Sequence, residues 1–118
     1  MPFIKFANRI IYWTGHAKAK MRFYRLSEQR ALRVLNSPKR VEEGIAPNTV
    51  AIMQPASIKI TAGKSVWKQE IWIMIQKNGK KTKIISAWRY PGKTKPRDGT
   101  ALDFLRQEYG EYLKNETV

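Results

Sequence analysis

Between Gly15 and Ser27 the chain reads GHAKAKMRFYRLS, a stretch that holds the only histidine and no acid. Histidine can take or give a proton near neutral pH, and lysine, arginine and tyrosine can steady a phosphate or donate a proton. Those side-chain types are the ones metal-independent RNA cleavage needs. A base removes the 2′-OH proton, an acid protonates the leaving 5′ oxygen, and cations offset the charge that builds on the phosphate. On a helix, His16, Lys20 and Tyr24 are spaced i, i+4, i+8 and share one face. His16 is the candidate base, Lys20 the candidate phosphate contact, and Tyr24 a proton donor or stacking ring. Ala17 and Met21 form an adjoining apolar stripe that would dock the helix. Lys18, Arg22 and Arg25 fall largely off the His16 face and read as phosphate guides or as solvated charge.

Further candidates lie downstream. Arg40, just after Pro38, and Arg89, in AWRY, carry guanidiniums that can grip a phosphate through two N–H bonds. On a strand, Ser86 and Trp88 point to one face and Arg89 to the other. Trp88 would stack on a base if it faced the site, and would be core otherwise. Lys80, Lys81 and Lys83 in KNGKKTK and Lys93 in PGKTKPR lie on basic loops that add phosphate affinity. Trp67 and Trp72, five apart, would face opposite sides of a regular strand, as core and partner surface rather than a ligand box.

Composition sets the frame for these residues. A chain of 118 residues with 42% apolar content suits one domain with a real core. Its net charge of +14 exceeds what solubility requires, so a polyanion is the expected partner: nucleic acid first, an anionic membrane surface second. The charge is uneven, since residues 98–118 hold five of the nine acids but only two of the 23 basic residues. There is no cysteine, which removes disulfides, thiolate catalysis and Cys-type zinc sites. With one histidine and scattered acids, neither a metal nor a cofactor is expected. No apolar run approaches a membrane span and no leader pattern opens the chain, so a cytoplasmic protein without a membrane partner is expected.

The elements that must position the candidates follow from period and punctuation. Ile10–Trp13 reads as a strand, and Thr14 caps a helix that runs to Tyr24. Ser27 caps a second helix, with Ala31, Leu32 and Leu35 inward, Val34 at the edge, and a stop at Asn36–Pro38. Strands are expected at the polar run 39–44, at Thr49–Gln54, at Val66–Gln76 and at Thr82–Tyr90, the last two joined by an Asn78–Gly79 turn. A final helix over 100–115 places Leu102, Leu105, Tyr109, Tyr112 and Leu113 on its apolar face. The expected fold class is α+β: two N-terminal helices on an antiparallel meander of about four strands. Residues 1–97 form the body and 98–118 an extra helix packed on the same domain.

This order resembles the family called domain of unknown function 4258, placed with RelE/BrnT-like toxins of the barnase–EndoU–colicin–RelE fold. The family pattern is His-Ala, two residues, Arg-Met, two residues, then Arg-Gly-Ile-Ser. The matching positions here are His16, Ala17, Lys20, Met21, Tyr24, Arg25, Leu26 and Ser27. Ser86 and Trp88 in IISAW match a closing-strand Thr and aromatic. The resemblance covers about residues 10–92. Lys20 and Tyr24 stand where arginines are usual, and Lys20 gives up bidentate phosphate recognition. The resemblance implies a metal-independent, toxin-type endoribonuclease or a decayed, RNA-binding relative of one. It also implies an acidic antitoxin-type partner. A noncatalytic nucleic-acid or ribosome-binding module is the alternative.

Overall fold

The computed structural model describes residues 10–96 and 99–116. Strand β1 (Ile10–Trp13) turns into helix α1 (Gly15–Tyr24) at Thr14. The Thr14 hydroxyl accepts from the Ala17 N–H at 3.0 Å, which satisfies one of the orphan donors of the first turn. Its own proton points at the carbonyls of Ile84 and Ile85, 2.9 and 3.1 Å away. A single buried side chain thus caps the helix and ties it to a strand seventy residues on. Ser27 caps helix α2 (Glu28–Asn36) in the same way, accepting from the Arg30 N–H at 3.0 Å. Ala31, Val34 and Leu35 are buried and Leu32 only partly so, which puts Val34 inside the stripe rather than at its edge.

The chain then forms β2 (Arg40–Glu43), β3 (Thr49–Pro55), β4 (Lys59–Thr61), β5 (Lys64–Val66), β6 (Glu70–Asn78), β7 (Lys81–Tyr90) and α3 (Gly99–Glu116). The fold is α+β as expected, with β2, β3, β6 and β7 as the antiparallel meander. β1 joins it as an edge strand parallel to β7, so the main sheet is mixed, in the order β1-β7-β6-β3-β2. β4 and β5 stand apart as a small hairpin. The expected strand Val66–Gln76 is thereby corrected: Val66 ends β5, and β6 starts at Glu70. The expected Asn78–Gly79 turn moves one position, because Asn78 pairs with Lys81 and leaves Gly79 and Lys80 at the tip. Gly79 takes the positive φ (63°) that suits a glycine there. The boundary at 97–98 lies outside the described residues.

Two apolar layers sandwich the sheet. Ile71, Ile73 and Ile75 of β6, with Ile52 of β3, pack against Ala31, Val34 and Leu35 of α2. Trp72 and Met74, with Met53, Ile85 and Trp88, pack against Leu105 and Tyr112 of α3. Alternation along each strand sends successive side chains to opposite helices. Helix α1 follows the edge of β7 where β1 ends: Ala17 and Met21 join the α2-side cluster, and Tyr24 touches both clusters. Opposite Met74 and Ile75, β7 carries one extra residue: Ser86 pairs with Met74 and Ile84 with Ile75. This bulge at Ile85 turns both Ile85 and Ser86 toward α3.

Candidate functional site

Helix α3 lies on the face formed by His16, Lys20 and Tyr24, burying His16 and leaving Lys20 and Tyr24 half-buried. His16 is 4% exposed, and Glu108, from the middle of α3, is 2% exposed beside it. Glu108 Oε1 lies 3.4 Å from His16 Nε2 and accepts from Ser86 Oγ at 2.5 Å. Its Oε2 lies 2.9 Å from Lys20 Nζ. Asn115 Nδ2 donates to His16 Nδ1 at 2.7 Å, which leaves the imidazole proton on Nε2, facing Glu108. The ammonium of Lys20 sits 5.3 Å from the Tyr24 ring centre, and Tyr112 meets the His16 ring edge-on. Burial pushes the Lys20 ammonium toward its neutral form. The Glu108 carboxylate outweighs that, with smaller help from Tyr24 and Glu111, and Lys20 ends above its ordinary value.

His16, Lys20 and Ser86 therefore do converge, but around a carboxylate of the same chain. Both imidazole nitrogens are engaged, and no 2′-OH can reach either while α3 is seated. In this state the cluster works as the polar anchor of α3 on α1 and β7.

Arg40 and Arg89 do not join it. Arg40 lies on β2, with Nε 2.9 Å from Glu42 and its guanidinium over the Trp72 ring at 5.3 Å. Its two terminal nitrogens donate to the Thr94 carbonyl, at 3.0 Å, and to the Thr94 hydroxyl. Arg89 points to the α2 side of the sheet, as alternation requires. It donates to the Tyr24 carbonyl at 2.8 Å and to Gln69 Oε1 at 3.1 Å. Its task is to cap the last turn of α1, where orphan carbonyls and the helix dipole favour a cation. As phosphate-gripping partners of His16, Arg40 and Arg89 are thus corrected: Arg40 is bonded to Glu42 and Thr94, and Arg89 lies on the other face of the sheet against the end of α1.

Trp88 is also corrected as a base-stacking candidate. It is 1% exposed and stacks between Trp72 and Phe104, with ring centres 6.2 and 6.5 Å away. Lys18, Arg22, Arg25, Lys80, Lys81 and Lys93 are exposed, and Lys83 is half-buried with its ammonium 3.4 Å from Tyr112 Oη.

A second buried carboxylate organises the opposite end of the sheet. Glu70, fully buried, accepts from the indole N–H of Trp67 (2.8 Å) and of Trp72 (3.0 Å). It also accepts from the Thr94 N–H at 2.9 Å and the Thr94 hydroxyl at 2.7 Å. The two tryptophans sit on the same side of the sheet after all, because Trp67 precedes β6 and is free of its alternation. Neither Glu70, Glu108, Asn115 nor Trp67 stands out by motif. One signal was available for the acids. Glu108 falls on the apolar stripe of α3 with Leu105 and Tyr112, and Glu70 shares the face of Trp72 and Met74; an acid on an apolar face marks a buried hub.

Among the described residues no cluster of histidines and carboxylates could hold a metal ion, and no helix is long and apolar enough to cross a membrane. No family model, curated protein or solved structure matches the chain. The functional reading accordingly rests on these residues and on the short motifs.

Proposed function

We propose that this protein is a nucleic-acid-binding module, with RNA as its first ligand, and that it holds RNA without cutting it at His16. The observation that carries this reading is where the charges go. Glu70 and Glu108 are buried and Glu42 is paired with Arg40, so three carboxylates are spent inside the fold. Lys18 and Arg22 of α1, and Lys80 and Lys81 at the β6–β7 turn, face solvent. Arg40 and Lys20 go inward with Glu42 and Glu108, so the inward charges nearly cancel and the excess of basic residues is left on the exterior, where such a field attracts a phosphate backbone. The resemblance to RelE/BrnT-like toxins supports RNA as the polyanion. In that setting an acidic antitoxin-type protein would compete for the same surface.

Binding of a fluorescent RNA oligonucleotide across a salt series tests this. With about four to six phosphates neutralised, log Kd should rise with log salt at a slope of ~3–4, since single strands contribute ~0.7 per phosphate. Flat or absent binding removes the reading.

A ribonuclease remains the second reading, because His16, Lys20 and Ser86 meet within reach of one anion position. It requires α3 to leave that position, and α3 is also fixed by Leu105 and Tyr112 against two tryptophans. Cleavage by the full chain that disappears in His16→Ala would establish it.

A further inference from the structure

The cationic surface has one place built for more than a phosphate. Trp67 lies in the connection between β5 and β6, half-buried, with its N–H fixed by Glu70. Glu70 is itself held by three further donors from Trp72 and Thr94, so the ring is mounted on a rigid hub. Two ammonium groups lie over that ring: Lys93 Nζ at 4.3 Å and Lys39 Nζ at 5.9 Å from its centre. Both lysines are exposed, and Lys93 also donates to the Ser65 carbonyl at 3.5 Å. A cavity of about 270 Å³ opens here, with Met53, Trp67 and Pro96 as apolar wall and Lys39 and Lys93 as rim. No acid lines it. The larger neighbouring hollow, about 540 Å³, carries Glu42 and Glu43 and so disfavours an anion.

We propose that Trp67 is a stacking platform for one unpaired base of a single-stranded nucleic acid, with Lys39 and Lys93 taking the phosphates on either side. This rests on the nucleic-acid reading above and names the subsite. The cavity falls just below the ~300–1,000 Å³ of sites for drug-sized ligands, which suits one base rather than a folded RNA element. A stacked base would replace two weak cation–π contacts on the ring. The displaced ammoniums lose little, because each gains a phosphate as it leaves the ring. A rigid ring with flexible cations beside it is the combination that sequence-tolerant single-strand binding uses.

The test is a cycle between protein and ligand. Wild type and Trp67→Ala are titrated with a single strand of RNA or DNA and with an abasic strand of the same length. Trp67→Ala should weaken base-bearing strands about 5- to 160-fold, the factor that ~1–3 kcal/mol of stacking converts to. It should leave the abasic strand unchanged. Loss confined to RNA or to DNA, or equal loss in both, supports the platform and tells which strand it serves. Trp67→Phe keeps a stacking ring and should keep most of the difference between base-bearing and abasic strands. If the variants fail to fold for want of the indole donor to Glu70, the comparison of base-bearing with abasic strands on wild type alone still decides the question. Equal weakening of base-bearing and abasic strands, or of poly-glutamate, overturns the platform. So does tight binding with no preference for bases. Binding of no strand by wild type removes the nucleic-acid reading itself, a different failure.

Discussion

At the scale of single residues the molecule is governed by two buried carboxylates. Glu108 meets an ammonium, a hydroxyl and an imidazole, and Glu70 meets two indoles and Thr94. A buried ionised group is tolerable only when its lone pairs are used, and removing one partner of a buried pair costs ~3–5 kcal/mol. The Lys20 side chain keeps 19% of its exposure, so Glu108→Gln should cost less, about 2 kcal/mol, read as a lower urea midpoint at unchanged slope. Lys20 carries the pH consequence. Its folded value lies above the ordinary 10.5, so its contribution is whole below pH 10.5 and is lost as pH rises through the folded value. Urea titrations from pH 9 upward should show a shallower alkaline loss in Lys20→Met than in wild type; identical limbs would show that the pair contributes nothing. The His16 motif was legible as a cluster, because helical spacing alone puts Lys20 beside it. That the cluster would be closed was not legible, since Glu108 is 92 positions away in sequence and nothing local joins them.

At the scale of elements, local chemistry was readable and long-range pairing was not. The Thr14 and Ser27 caps, the apolar alternation of β6 and the final helix follow from neighbours within a few residues. The parallel seat of β1 on β7 depends on register with residues 81–84, and the break before β6 depends on Trp67 turning in to reach Glu70. The β4–β5 hairpin shows what sequence preference leaves unoptimised. Its two-residue turn places Ala62 at φ 51° and Gly63 at φ 76°, the left-handed pair of a type I′ turn. Alanine is strained in that conformation by ~1–2 kcal/mol, and asparagine is strained less. Ala62→Asn should therefore stabilise the protein, raising Tm by about 2–6 °C in a thermal melt. For α3, Leu105→Ala should cost ~2–5 kcal/mol, because Leu105 is buried against the tryptophan layer. A cost below 1 kcal/mol in chemical denaturation would mean that α3 is held mainly by Glu108.

At the scale of the whole molecule, a basic body turns Glu42 and Glu70 inward, leaves Glu28 and Glu43 as exposed acids, and presents a mainly cationic exterior. Residues 98–118 hold most of the acids, and α3 lays Glu108 where a substrate phosphate would have to sit for His16 and Lys20 to act. The central claim is that RNA is bound outside and is not cut at that buried position. The measurement that tests it most directly follows one end-labelled single-stranded RNA with wild type and with His16→Ala, recording anisotropy and then strand length on a denaturing gel. Both proteins should bind with the same Kd at low salt, lose affinity as salt rises, and return the RNA at full length. RNA shortened by wild type and left intact by His16→Ala would contradict the account, as would an anisotropy that never rises.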